Sequence, residues 1–242
     1  MSDLLVVDGI SKSFRGLRAV SRASLTVPKG GIVGLIGPNG AGKTTCFNMI
    51  AGVYKPDEGS VTLDGRRIDG LRPDLICHAG VGRTFQIVKP FKELTALDNV
   101  MVGALHTESD TRRAKREAEA VLDRLGMLEK RNQPAGQLTL PERKRLEVAR
   151  ALATKPRILL LDEVMAGLRP TETDQMVAVF RDLNQREGLT ILLIEHVMRA
   201  VMALSQQVVV LHHGEVIARG DPQAVVRDPA VLECYLGEEA EI

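Results

Sequence analysis

The stretch Gly37-Pro38-Asn39-Gly40-Ala41-Gly42-Lys43-Thr44-Thr45 constrains this chain more than any other. It repeats the pattern of glycine, four residues, glycine, lysine, then serine or threonine. Ile32 to Ile36 read as a short buried strand entering it, and Thr45 to Ile50 as the first turns of a helix leaving it. Without a Cβ, Gly37, Gly40 and Gly42 let backbone N–H groups close around phosphate oxygens, and the helix N-terminus adds its positive dipole end. Lys43 supplies a mobile positive charge for the outer phosphates, and the Thr44 hydroxyl is placed to ligate Mg²⁺.

At 242 residues the chain can hold one large α/β unit, or a core with a smaller subdomain. Its net charge of +1 makes no global electrostatic case for nucleic acid. Tryptophan is absent and aromatics reach only 3%, leaving few stacking platforms for single strands. Cys46, Cys77 and Cys234 are irregularly spaced, without metal-ligand pairing, and read as inert thiols in a reducing compartment. The N-terminus lacks a basic then apolar signal segment, and no apolar run approaches ~18 residues. The expectation is a cytoplasmic chain that does not itself span a membrane.

Leu4 to Val7 and Ser24 to Val27 predict antiparallel strands ahead of the loop. Phe14, between them, suits either a platform for a nucleotide base or an edge residue of a small sheet. Ser60 to Leu63 and Arg66 to Ile68 flank Asp64-Gly65, the signal of a two-residue hairpin turn. Val81 to Gln86 predicts another short strand, whose terminal glutamine spacing alone leaves as a loop residue. From Glu93 to about Ala153 the pattern turns helical, with Ala118, Val121, Leu122 and Leu125 on one face of a charged helix.

Leu138-Thr139-Leu140-Pro141-Glu142 opens a further helix, with Thr139 and Glu142 spaced as a capping box and Leu146, Val148, Ala149, Ala151 and Leu152 as its apolar stripe. Ile158 to Leu161, followed by Asp162-Glu163, has the form of a central parallel strand buried on both faces that delivers carboxylates at its C-terminal end. One such carboxylate can help hold Mg²⁺, and a second can orient or deprotonate an attacking water. Thr190 to Ile194 is a further buried strand ending at Glu195-His196, which makes His196 a candidate for sensing the terminal phosphate. Gln207 to Leu211 and Glu215 to Ala218 predict a last hairpin, turning at His212-His213-Gly214.

The order and separations of these elements resemble the ATP-binding subunit of ABC transporters across essentially the whole chain. Gly82-Arg83-Thr84-Phe85-Gln86, Leu94-Thr95-Ala96-Leu97-Asp98-Asn99-Val100 and Tyr235-Leu236-Gly237 look more narrowly like the LivG type, which serves branched-chain amino acid importers. The resemblance implies an α/β P-loop NTPase core with an antiparallel β subdomain and an inserted helical subdomain. Residues 1–86 and 155–242 would form the core and 87–154 the helical insert carrying the signature helix. It implies that two subunits close head to tail around two ATP molecules, each site using one subunit's phosphate loop and the other's signature. Phe14 would stack on adenine, residues 37–45 would bind the phosphates, and Thr44, Gln86 and Asp162 would serve Mg²⁺. Glu163 would act on the water, His196 would hold the γ-phosphate, and Lys43 would complete the catalytic set. The implied partners are transmembrane permeases, a second ATPase subunit and an extracytoplasmic substrate-binding protein, with this chain peripheral on the cytoplasmic face of the inner membrane.

The signature departs from the family string Leu-Ser-Gly-Gly-Gln. Here it reads Leu138-Thr139-Leu140-Pro141-Glu142: both glycines are gone, and Pro141 cannot donate an N–H. A site completed by this helix is expected to hydrolyse ATP poorly, so an unlike ATPase with an intact signature is the expected dimer partner, a second copy being the alternative. Ala166-Gly167-Leu168-Arg169, after the carboxylates, departs from the family as well. Other readings are an ATPase for export or lipid extraction, or a weakly hydrolysing nucleotide-gated module.

Overall fold

Alternation along short apolar strands sets the architecture. The computed structural model describes residues 2–86 and 89–239. Strands β1 (Asp3–Phe14) and β2 (Leu17–Pro28) pair antiparallel, and β3 (Ile32–Ile36) then leaves for a second sheet. After α1 (Lys43–Ile50), β4 (Glu58–Leu63) and β5 (Arg66–Arg67) return to the first sheet, whose order is β2-β1-β4-β5. The turn between them is the expected Asp64-Gly65, with φ of 49° and 75°.

The chain continues through α2 (Pro73–His78), β6 (Val81–Arg83), α3 (Ala96–Ala104), α4 (Thr111–Arg124) and α5 (Leu140–Leu152). It then runs through β7 (Ile158–Asp162), α6 (Pro170–Glu187), β8 (Thr190–Ile194), α7 (Met198–Leu204), β9 (Gln207–His212) and β10 (Glu215–Gly220). It closes on α8 (Pro222–Val225) and α9 (Pro229–Glu239). The second sheet has the order β10-β9-β3-β8-β7-β6, parallel except for the β9–β10 hairpin.

Alternate residues of this sheet feed two cores, because successive side chains of a strand point to opposite faces. Val33, Leu35, Ile158, Leu160, Leu192 and Ile194 pack with α1 and the antiparallel sheet, around Phe47. Ile32, Ile36, Leu159, Leu161, Ile191 and Leu193 pack on the other face with the helices from α3 to α7, around Phe180. The stripes expected on α4 and α5 are buried in that second core. The boundary expected at residue 87 lies outside the described residues. Among those described, no helix is long and apolar enough to cross a membrane.

Three expectations are corrected. The strand expected over Val81 to Gln86 stops at Arg83. There the Thr84 hydroxyl enters the ladder, accepting the Asp162 N–H at 3.1 Å and donating to the Leu160 carbonyl at 3.4 Å, which frees Phe85 and Gln86 to leave the sheet. His212 is the last residue of β9, and the turn is His213-Gly214, both at positive φ. The loop helix also begins at Lys43, two residues ahead of expectation.

Phe47 anchors the helix that carries Lys43 and is fully buried. Phe47→Ala is expected to lower unfolding free energy by about 3–5 kcal/mol, read from urea denaturation. A loss under ~1 kcal/mol would show that α1 is not held by this contact.

Candidate active site

The neighbours β3, β8 and β7 are parallel, so the segments leaving their C-terminal ends meet at one edge of the sheet. β3 delivers the glycine loop, β8 delivers Glu195 and His196, and β7 delivers Asp162 and Glu163. In the loop, Gly37 and Gly42 have φ of 147° and 100°. A Cβ on Gly42 would stand 2.5 Å from the Ala19 carbonyl, and one on Gly37 would collide with that of Leu211. Only glycine fits either place. Lys43 is buried, and its Nζ donates to the carbonyls of Gly37 and Pro38 at 2.6 and 2.7 Å.

A cavity of about 250 Å³ brings together Ala19, the run Asn39, Gly40, Ala41, Gly42, Lys43, Thr44 and Thr45, and the distant Gln86, Glu163 and His196. The Glu163 carboxylate links the last three: Gln86 Nε2 donates to its Oε2 at 2.8 Å, and His196 Nε2 pairs with its Oε1 at 2.7 Å. Glu163 itself has a left-handed φ of 52°, costly for a residue with a Cβ. Its N–H donates to Ile194 O at 2.9 Å, and its carbonyl accepts from Ala166 N at 3.2 Å and Lys144 Nζ at 2.9 Å.

A second cavity of about 430 Å³ is lined by Thr44, Arg83, Gln86 and Asp162 among others. Arg83 donates to Asp162 Oδ2 at 3.1 Å and to Asn48 Oδ1 at 2.7 Å. The other Asp162 oxygen, Oδ1, is buried and has no hydrogen-bond partner among the described residues. Burial pushes the Asp162 carboxyl above its ordinary range, against the pull of Arg83. An orphaned carboxylate oxygen beside the Thr44 hydroxyl and the Gln86 amide is an all-oxygen donor set, which suits Mg²⁺.

Not every expected residue joins this site. Phe14 lines neither cavity; it is half-exposed at the end of β1, edge-on to Tyr54 with ring centroids 5.1 Å apart. Leu138, Thr139, Leu140, Pro141 and Glu142 also line neither cavity, lying at the start of α5. The capping box expected there is present: Glu142 Oε2 accepts the Thr139 N–H at 2.8 Å and its hydroxyl at 2.9 Å. This places a carboxylate on the helix N-terminus.

The ABC transporter family model matches residues 20–166. The chain belongs to the ABC transporter family. The model of the branched-chain amino acid ATP-binding cassette transporter matches residues 215–241. The high-affinity branched-chain amino acid transport ATP-binding protein BraF of Pseudomonas aeruginosa is 42% identical, over 97% of this chain and 98% of that protein. LivG of Escherichia coli is 41% identical over the same shares. A nucleotide-free ATP-binding cassette from an ABC transporter superposes with a TM-score of 0.89 at 30% identity, over 97% of this chain and 99% of its own. The ADP conformation of an ATP-binding cassette gives the same TM-score at 31% identity, over 98% and 100%.

This ABC cassette also uses residues that sequence reasoning passed over. Arg83 and Thr84 orient Asp162, and Glu195, buried, takes the Met165 N–H on Oε1 at 2.8 Å. Lys144 is buried on α5. Its signal was available: it precedes Val148 by four residues and Ala151 by seven, a lysine inside an apolar stripe. Burial pushes the Glu195 carboxyl from 4.5 up to about 7, although Lys144 and two backbone N–H groups oppose it.

A folded-state value raised in this way lowers stability as pH rises from 4.5 to about 7. Glu195→Gln keeps the acceptor for Met165 and removes the charge. Its unfolding free energy is expected to match the parent below pH 4.5, to exceed it increasingly up to about pH 7, and then to keep a constant lead. Denaturation midpoints across that range check this; parallel curves throughout would mean that Glu195 ionises as it does in the unfolded chain.

Proposed function

We propose that this cassette is the ATP-hydrolysing subunit of a membrane importer for branched-chain or related amino acids. The observation that carries the reading is the Glu163 carboxylate, held between Gln86 and His196 at the mouth of a complete phosphate loop. BraF and LivG, alike over nearly the whole length, support the cargo class.

In this mechanism the phosphate loop takes the triphosphate, and Lys43 exchanges the Gly37 and Pro38 carbonyls for phosphate oxygens. Thr44, Gln86 and Asp162 would hold Mg²⁺, which when bound neutralises phosphate charge. Glu163 orients the attacking water and takes its proton, and His196 turns from Glu163 to the terminal phosphate. Phe14 supplies a face for adenine, exposed as it is at the end of β1. Positioning and charge do the work, since phosphoryl transfer asks little covalent chemistry of the protein.

Permease subunits hold the chain at the cytoplasmic face of the membrane, with an extracytoplasmic binding protein delivering the cargo. Two cassettes close head to tail, residues 87–154 carrying the signature helix across to the facing ATP. That helix is poorly built for phosphate: Leu140 is 40% exposed where a glycine is usual, Pro141 donates nothing, and the Glu142 carboxylate occupies the helix N-terminus. The site it completes is therefore the weak one, and an unlike cassette with an intact signature completes the strong one.

Two measurements check this. Glu163→Gln is expected to cut turnover on the order of 10²–10⁴-fold while ATP affinity holds, because it removes the general base and keeps the geometry. Turnover unaffected by the change would sink the assignment. Restoring glycine at 140 and 141 together with Glu142→Gln is expected to raise turnover of the purified chain roughly tenfold, the effect of ~1.4 kcal/mol in the barrier. No gain in a folded protein points instead to a module that binds nucleotide and hydrolyses little.

A further inference from the structure

The turn after β7 is held by several hydrogen bonds, and one of them comes from α5. Lys144, on the second turn of α5, is only 5% exposed, and its Nζ donates to the Glu163 carbonyl at 2.9 Å. Burying an ammonium costs several kcal/mol unless it is compensated. Glu195, Glu163 and Glu147 provide that compensation as the carboxylates around it, while burial pulls the amine below its ordinary range. The carbonyl it grips belongs to the residue with left-handed φ, so the bond acts on the strained backbone that aims the Glu163 side chain.

The same two elements also lie close together at the start of α5. A Cβ built on Gly167, four residues past Glu163, would lie 3.6 Å from Cδ2 of Leu140, the first residue of α5. The helix therefore runs beside this turn at its beginning and bonds to it one turn further on.

We propose that Lys144 is a positioning residue for ATP hydrolysis, which fixes the Glu163 backbone from the signature helix and so ties the carboxylate of one ATP site to the helix that completes the other. The inference rests on the reading of Glu163 as the group that acts on water. Movement of α5 against the facing nucleotide then shifts the Glu163 carbonyl through this hydrogen bond. The two sites of a cassette pair are coupled inside each chain, not only across their interface.

The competing role for Lys144 is charge balance alone, as counter-ion to Glu195. Lys144→Met combined with Glu195→Gln separates the two roles, because it removes the ammonium together with the foremost of the carboxylates around it and keeps the Met165 acceptor, while Glu147 retains Arg150 at 3.6 Å. Ala166 still donates to the Glu163 carbonyl in this variant. In the transporter purified around the full chain, the double variant is expected to lose kcat about ten- to hundredfold with KM for ATP and ATP affinity unchanged. Lys144→Arg, which keeps a charged donor, is expected to recover most of the loss.

Wild-type kcat in the double variant would overturn the proposal and leave Lys144 as a counter-ion. Equal losses in kcat and ATP affinity would also overturn it, showing general damage to the site. Glu163→Gln in the same assembly separates this inference from the one beneath it. If that variant keeps turnover, the reading of Glu163 fails; if it loses turnover while the double variant does not, only the role of Lys144 fails.

Discussion

A parallel strand covered on both faces has no side on which to carry a polar group. In β7 every residue from Ile158 to Asp162 is buried, with alternate side chains committed to separate cores. Chemistry can appear only where the strand runs out. The same restriction applies to β8 beside it and to β3 beyond that, so the glycine loop, the two carboxylates and His196 gather at a single edge. Packing requirements thus decide where the site is, before any functional residue is considered.

Charge is partitioned along that edge. Asp162 is matched by Arg83 on one side, and the buried Glu195 has Lys144 near it on the other. Glu163, between them, has Gln86 and His196 as its side-chain partners, neither of them a permanent cation. Its oxygens can exchange these partners for water without breaking a fixed ion pair. Its backbone is the reverse, pinned by Ile194 and Lys144 in a conformation that a free chain seldom adopts. A carboxylate with exchangeable partners on a rigid mount fits a group that must change partners during a reaction.

The legible part of this structure was written in short-range patterns. The strand entering the glycine loop, the Asp64-Gly65 turn, the Thr139 cap and the apolar run before Asp162 each depend on neighbours a few residues apart, and each stands in the fold as read. What escaped depends on long separations. Arg83 meets Asp162 across 79 positions and Lys144 meets the Glu163 carbonyl across 19, and although the apolar stripe around Lys144 hints at its burial, nothing local names either partner. The end of β6 was missed for a related reason: Thr84 suits a strand, but here its side chain takes over hydrogen bonding that a strand leaves to the backbone. Spacing leaves Phe14 open between two roles and Gln86 as a mere loop residue; the fold places Gln86 on Glu163 and leaves Phe14 beside Tyr54.

Arg83 carries one more implication. Its guanidinium spans Asn48 on α1 and Asp162 on β7, so the carboxylate best placed for a divalent cation already has one positive charge against it. A dication arriving alone would meet a locally neutral pair rather than an anionic cluster, and would give up hydration for little return. The negative charge missing from the protein is the charge that a triphosphate carries. On the reading proposed above, metal and nucleotide would be interdependent: Asp162, already matched by Arg83, would become a complete cation site only once the substrate supplied the remaining ligands.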